Sequence, residues 1–182
     1  MLDHRVDPAF ISIGLAGGVK NGKYVLEWTD PRMEKFLFER GQCRFLVGAG
    51  PPGLSRDGLT KEQYEQYVRQ YLRQVIAHAR ESGWYERLSF TGAVDEPQTK
   101  KEYEAVRYWA ATIHSVEPKI PVAVTEQPLP DKAEWGTLVG YCSEWTVHGN
   151  VQAKNRAEIA ARQAAGERGS WDRSSDQLYT CR

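Results

Sequence analysis

Cysteine is scarce and unpatterned: Cys43, Cys142 and Cys181 are the only three in 182 residues. An odd count with no CxxC spacing argues against a disulfide framework or a thiolate metal site, and buried free thiols are the expected state. Charge of one sign is lacking too. Lys plus Arg and Asp plus Glu each total 24, so no net field recruits nucleic acid or an anionic membrane. No apolar run is long enough to span a bilayer. The opening MLDHRVDPAF has no hydrophobic segment of the secretory kind, which leaves localisation open. His78 and His114 fall inside helical patterns without a ligand partner, so no metal is expected, and no cofactor.

What the chain does carry is 41% hydrophobic and 26% charged residues, the composition of a globular domain with a core. Six Trp and nine Tyr stand out. Such rings pack cores, and they also cover the C–H face of a sugar. Short apolar runs alternate with amphipathic helices along the whole length. Val25 to Trp28 reads as a strand ending at Asp30-Pro31, a helix N-cap followed by proline at the first helical position. That helix runs to about Arg40 and stops at Gly41. Cys43 to Val47 is the next strand, followed by the turn-rich GAGPPGLSRDG.

Thr60 and Gln63 then make a capping box for a helix whose Tyr64, Tyr67, Val68, Tyr71, Leu72, Val75, Ile76 and Ala79 recur at helical spacing up to Gly83. Leu88 to Val94 is a strand running into Asp95-Glu96-Pro97. Thr99 and Glu102 repeat the capping box, and Val106, Trp109, Ala110 and Ile113 form the buried stripe until Glu117-Pro118. Ile120 to Thr125 reads as a buried strand ending at Glu126, and Leu138 to Trp145 as another. Ala153 to Ala165 is an alanine-rich helix, and Gln177 to Cys181 a last strand.

Strand–helix–strand units of this kind imply a parallel sheet. No glycine-rich phosphate loop follows any strand, so a (β/α)8 TIM-barrel type of α/β fold ranks above an open doubly wound sheet. The whole of 1–182 is read as a single domain. A complete barrel has eight strands and usually about 250 residues. Some six strands are legible here, so the barrel is expected to be incomplete, with self-association through its open sheet edges.

Reactive residues in parallel β/α folds sit where strands end. Asp95 and Glu96 hold that position, and Pro97 stops the strand behind them. Adjacent carboxylates repel, so one is harder to ionise; a carboxyl kept protonated is what donating to a glycosidic oxygen requires. The plain alternative is that the pair caps the following helix. Trp28 and Trp145, each read as ending a strand, stack on a sugar or pack the core. Tyr179 offers a hydroxyl to an acetamido oxygen, and Glu126 binds a sugar hydroxyl or starts the next loop. His4, Arg5 and His148 read as ordinary loop or packing residues.

The segment FTGAVDEPQTKKEYEAVRYWAATIHSVEPKIPVAVTEQP resembles the centre of the catalytic domain of glycoside hydrolase family 123, a strand ending in Asp-Glu-Pro, a helix, then a strand ending in Val-Thr. DHRVDP, GWYERLSF and the terminal LYTCR resemble that family's flanking segments in the same order. The resemblance implies a retaining exo-β-N-acetylhexosaminidase, N-acetylgalactosamine favoured, working by substrate-assisted catalysis. Glu96 would be the general acid/base, and Asp95 would orient the substrate's own 2-acetamido group. The expected partner is therefore a carbohydrate. Against this stand a double-displacement glycosidase with Glu96 as acid/base, and a non-catalytic carbohydrate-binding or interaction domain. The family's N-terminal β-sandwich and the opening and closing strands of its barrel are missing from the pattern, which makes weak activity the expectation for this chain alone.

Overall fold

Asn21-Gly22 reverses the chain between two strands, with both residues at positive φ, 51° and 72°. Two-residue hairpin loops of the favoured twist demand that conformation, which Asn and Gly adopt most readily. The hairpin so formed, β1 (Leu15–Lys20) and β2 (Lys23–Trp28), is antiparallel in a computed structural model that describes residues 14–41, 44–92, 94–148 and 152–172. Val25 to Trp28 is thus a strand, as read, but it does not belong to the parallel sheet. Its outer edge is not bare either. Gln70 and Gln74 accept from the backbone N–H of Tyr24 and Leu26 at 2.7 and 3.0 Å, and Gln74 donates to the Tyr24 carbonyl at 2.9 Å. Glutamine side chains here stand in for a neighbouring strand, satisfying backbone groups that would otherwise seek one.

The Asp30 carboxylate accepts from the Met33 N–H at 3.1 Å and starts α1 (Pro31–Glu39), which stops before Gly41 at φ 78°. The five strands that follow are all parallel: β3 (Phe45–Gly48), β4 (Leu88–Thr91), β5 (Val122–Thr125), β6 (Glu144–His148) and β7 (Arg168–Asp172). They lie side by side in chain order, with no reversal. A doubly wound sheet opens its ligand crevice at such a reversal, and none occurs among the described strands. Helices α2 (Lys61–Glu81), α3 (Lys100–Val116) and α4 (Gln152–Ala164) make three of the crossovers. Thr60 and Gln63 form the expected reciprocal cap of α2, at 3.2 and 2.9 Å.

Alternation sorts the sheet into two faces. Phe45, Val47, Leu88, Phe90, Val122, Val124, Trp145 and Val147 are wholly buried in one core cluster with Val68, Leu72, Val75 and Ile76 of α2 and Val106, Ala110 and Ile113 of α3. The other face carries Leu46, Ser89, Thr91, Ala123, Thr125, Glu144 and Thr146, small or polar for the most part, and several of them half-buried. Two strand assignments shift. The run after Leu138 forms a strand only from Glu144, because Val139 and Cys142 bridge within a turn first. Arg168 to Asp172 was not anticipated as a strand, while Gln177 to Cys181, read as the last one, lies outside the described residues. Among the described residues, no helix is long and apolar enough to cross a membrane.

Candidate functional site

β4 ends at Thr91, earlier than the Val94 expected, since β5 pairs with it only at Phe90 and Thr91. Asp95 and Glu96 follow in a bend, both exposed, with Pro97 buried behind them. Glu96 has φ 48°. Left-handed backbone costs a residue with a Cβ about 1–2 kcal/mol, and such conformations cluster where a chain must aim a side chain. Helix capping falls to other residues. Thr99 accepts from the Glu102 N–H at 3.3 Å, and the Glu102 carboxylate accepts from the Gln98 N–H and the Thr99 hydroxyl at 2.8 and 2.9 Å. Those bonds hold the Glu102 carboxyl below the usual range. Asp95 and Glu96 therefore stand outside the cap, at the carboxyl end of the second parallel strand.

Glu126 directly follows β5 and is buried at 4% exposure. One of its carboxylate oxygens accepts from the Gln127 N–H at 2.8 Å. The buried Tyr103 hydroxyl from the first turn of α3 faces it, and burial, then the Glu126 carboxylate, raises that phenol's pKa. Gln127 reaches on to Asp131 at 3.3 Å, and Tyr103 packs on the Trp135 ring, 5.3 Å between centroids. Arg107 of α3 donates to the carbonyls of Trp135 and Thr137 at 3.0 and 3.3 Å. Tyr103 and Arg107 thus tie α3 to the loop leading to β6, and Glu126 opens that loop with its carboxylate bonded to the next backbone N–H.

Neither tryptophan singled out in the sequence ends a strand of the parallel sheet. Trp28 ends β2 of the hairpin and stacks on His78, centroids 3.6 Å apart. Trp145 is the second residue of β6, on the helix-covered face, and its Nε1–H donates to Glu167 at 2.8 Å. Both rings pack the fold. Tyr179, like His4 and Arg5, lies outside the described residues.

Two buried polar constellations escaped the sequence reading. Near the amino ends of the strands, Glu34 of α1 is buried and accepts from the Trp84 indole N–H, and His78 Nε2 stands 2.8 Å from both of its oxygens. Ser82 Oγ lies 3.2 Å from the same Nε2. A serine–histidine–acid relay needs the acid on one ring nitrogen and the serine on the other, so this cluster is no hydrolytic triad. The second is Glu144, 1% exposed on the open sheet face, which accepts from Arg44 and, at 3.1 Å, from Arg168. Its trace in the sequence is the period-two pattern Glu-Trp-Thr-Val-His, polar residues alternating with apolar ones.

Cys142 is buried and free, and burial pushes its thiol up to about 12, which leaves it no nucleophile near neutral pH. Among the described residues, no group of three or more His, Cys, Asp and Glu could hold a metal ion. No model of a known protein family matches the chain, and no curated protein matches it significantly.

Proposed function

We propose that this chain is an arc of a (β/α)8-type barrel carrying the catalytic carboxylates of a retaining β-N-acetylhexosaminidase, similar to glycoside hydrolase family 123. The observation that carries the reading is Asp95-Glu96: adjacent exposed carboxylates past the carboxyl end of a parallel strand, ahead of the Thr99 cap, with Glu96 in a strained backbone conformation. Strand ends of this kind are where parallel β/α folds do their chemistry.

The barrel part rests on the strand order and on one ion pair. Following the register Gly48–Thr91–Ala123–Glu144, Glu144 lies opposite Gly48, four residues beyond Arg44. On a flat sheet the two would stand about 14 Å apart across the strands and about 13 Å along them, beyond the joint reach of their side chains. They are nonetheless paired. A sheet curled with a barrel's shear, about one residue per strand, brings them to nearly one level inside the concave face.

In the proposed reaction Glu96, protonated, donates to the departing glycosidic oxygen. The carbonyl oxygen of the substrate's 2-acetamido group attacks the anomeric carbon as that bond breaks, giving a cyclic oxazolinium ion. Asp95 orients the acetamido N–H and balances the charge that develops there. Water then attacks the same carbon, Glu96 takes its proton, and the ring opens to the sugar with its configuration retained. No second protein nucleophile is required.

Hydrolysis of an aryl β-N-acetylgalactosaminide tests the assignment. Glu96→Gln should lower turnover by about 10²–10⁴ with the circular dichroism spectrum unchanged. Full activity in a folded Glu96→Gln protein would end it. Asp95→Asn should slow 2-acetamido substrates, and a thiazoline mimic of the oxazolinium ion should inhibit. A covalent adduct trapped by a 2-fluoro sugar, without thiazoline inhibition, would establish double displacement instead.

A further inference from the structure

The tip of the hairpin joins a conformational need to a chemical one. Asn21 and Gly22 close it because both positions take positive φ. Both residues are exposed, and among the described residues none bonds to the Gly22 N–H. A Cβ built at Gly22 would meet nothing within 4 Å, so this side of the turn is open to water. The side-chain carbonyl of Asn21 is thus the neighbour of an unscreened, solvated backbone nitrogen. On most residues a side chain shields that nitrogen; glycine has none.

The chain's other asparagines lack this opening. Asn150 precedes Val151, which is branched at Cβ, and Asn155 precedes Arg156. Asn155 is also wholly buried in α4, where its side chain accepts from the Leu129 N–H at 3.2 Å. The folded turn restrains attack at Asn21, but an exposed loop tip opens locally at little cost. Opening there leaves the rungs behind it in place, since Gln70 and Gln74 hold Tyr24 and Leu26 from α2.

We infer that Asn21 is a site of spontaneous modification by deamidation, and that one of its products unlatches the end of the hairpin. The Gly22 nitrogen gives up its proton to water and attacks the Asn21 side-chain carbonyl carbon. The new C–N bond closes a cyclic imide, and the side-chain nitrogen leaves as ammonia. Both groups belong to adjacent residues, so a ring closure replaces a bimolecular encounter. Water then opens either carbonyl of the imide. One opening gives aspartate, and Asp-Gly still suits the turn. The other gives isoaspartate, whose main chain runs through the side-chain methylene and is longer by that atom. A two-residue turn cannot absorb the extra atom, so the pairing of Lys20 with Lys23 is lost.

Either product adds a negative charge to a chain of formal net charge +0, so ion exchange separates it from the parent. The full chain is incubated at mildly alkaline pH and physiological temperature, and its acidic species are collected. The peptide ending at Glu27 should carry the change of amide to acid, with isoaspartate detected by the enzymatic methylation specific to it. Amide loss at Asn21 should run to completion before any is detectable at Asn150 or Asn155. The isoaspartate protein should exchange its amide hydrogens across Leu15–Lys20 faster than the aspartate form does. Asn21→Gly keeps a turn-forming pair and should stay free of acidic species over the same period. An Asn21 that outlasts Asn150, or an Asn21→Gly protein that acidifies as fast as the parent, overturns the inference. Isoaspartate with unchanged exchange in β1 overturns its structural half.

Discussion

Removing the Glu144 carboxylate should cost more stability than removing any exposed acid on this chain. Its side chain is 1% exposed and that of Arg44 12%. Glu144→Ala leaves the Arg44 guanidinium buried without its charge partner, a loss of about 3–5 kcal/mol. Arg168 contributes little to that figure, because its side chain is 55% exposed and water replaces the lost carboxylate. For a chain of this length each kcal/mol moves the midpoint by about 2–4 °C, so melting should fall by about 6–20 °C. Burial also predicts that the loss is nearly the same at low and high salt, since counterions cannot screen a pair they do not reach. The combined Arg44→Met, Glu144→Leu protein removes both charges and should recover most of the loss, because apolar replacement of a buried pair is often neutral. Urea unfolding followed by circular dichroism measures all three proteins. A cost under about 1 kcal/mol for Glu144→Ala, the value of a surface pair, would refute both the burial and the curled sheet inferred from it. So would a double variant no more stable than the single one.

Burial pushes the Tyr24 phenol up to about 12 and raises Tyr71 and Tyr103 as well; their stabilising effect is complete below the unfolded value near 10 and is lost as pH rises through the folded values. Denaturant midpoints should therefore stay level with respect to these groups up to about pH 10 and fall beyond it, and a level profile at pH 11.5 would contradict the burial of all three. Gln74→Leu should cost about 1–3 kcal/mol, since the Leu26 N–H and the Tyr24 carbonyl lose their partner; an unchanged urea midpoint would mean that water serves that edge equally well. Glu96→Gly and Glu96→Ala both remove the side chain, but only alanine keeps the strain of φ 48°, so the glycine protein should be the more stable by up to about 1 kcal/mol. Equal stability of the two would show that the backbone there relaxes at no cost.

Local rules carried the helices. Asp30-Pro31, Thr60 with Gln63 and Thr99 with Glu102 each mark a helix start where the structure has one, because capping is settled within four residues of chain. Gly41, Gly83 and Gly166 each follow a helix end at positive φ for the same reason. Strand membership obeys no such local rule. Val25 to Trp28 has the composition of a sheet strand, yet whether it joins the parallel sheet depends on what lies beside it. There the decisive residues are Asn21-Gly22, which fold β1 back on β2, and the glutamines of α2, 46 and 48 positions distant. The short β6 was displaced for a similar reason. Leu138 to Cys142 is apolar enough for a strand, but it bends through Gly140 at φ 85° before pairing begins.

The site divides along the same line. Asp95 and Glu96 could be singled out because Pro97 and the cap at Thr99 mark where the next helix must start, although β4 itself stops earlier, at Thr91. The tryptophans were misplaced because an indole at a strand end and one on a covered face have the same composition signal; only register separates them. Trp145 pairs with Val124, and that pairing commits its ring to the helix side. The same register commits Glu144, one residue earlier, to the opposite side, where a charge cannot lie buried unless a cation reaches it. A strand whose one face reads Trp, Val and whose other reads Glu, Thr is consequently a strand with two environments, a packed one and a polar one. The second environment is the part of this sheet that packing alone leaves unexplained.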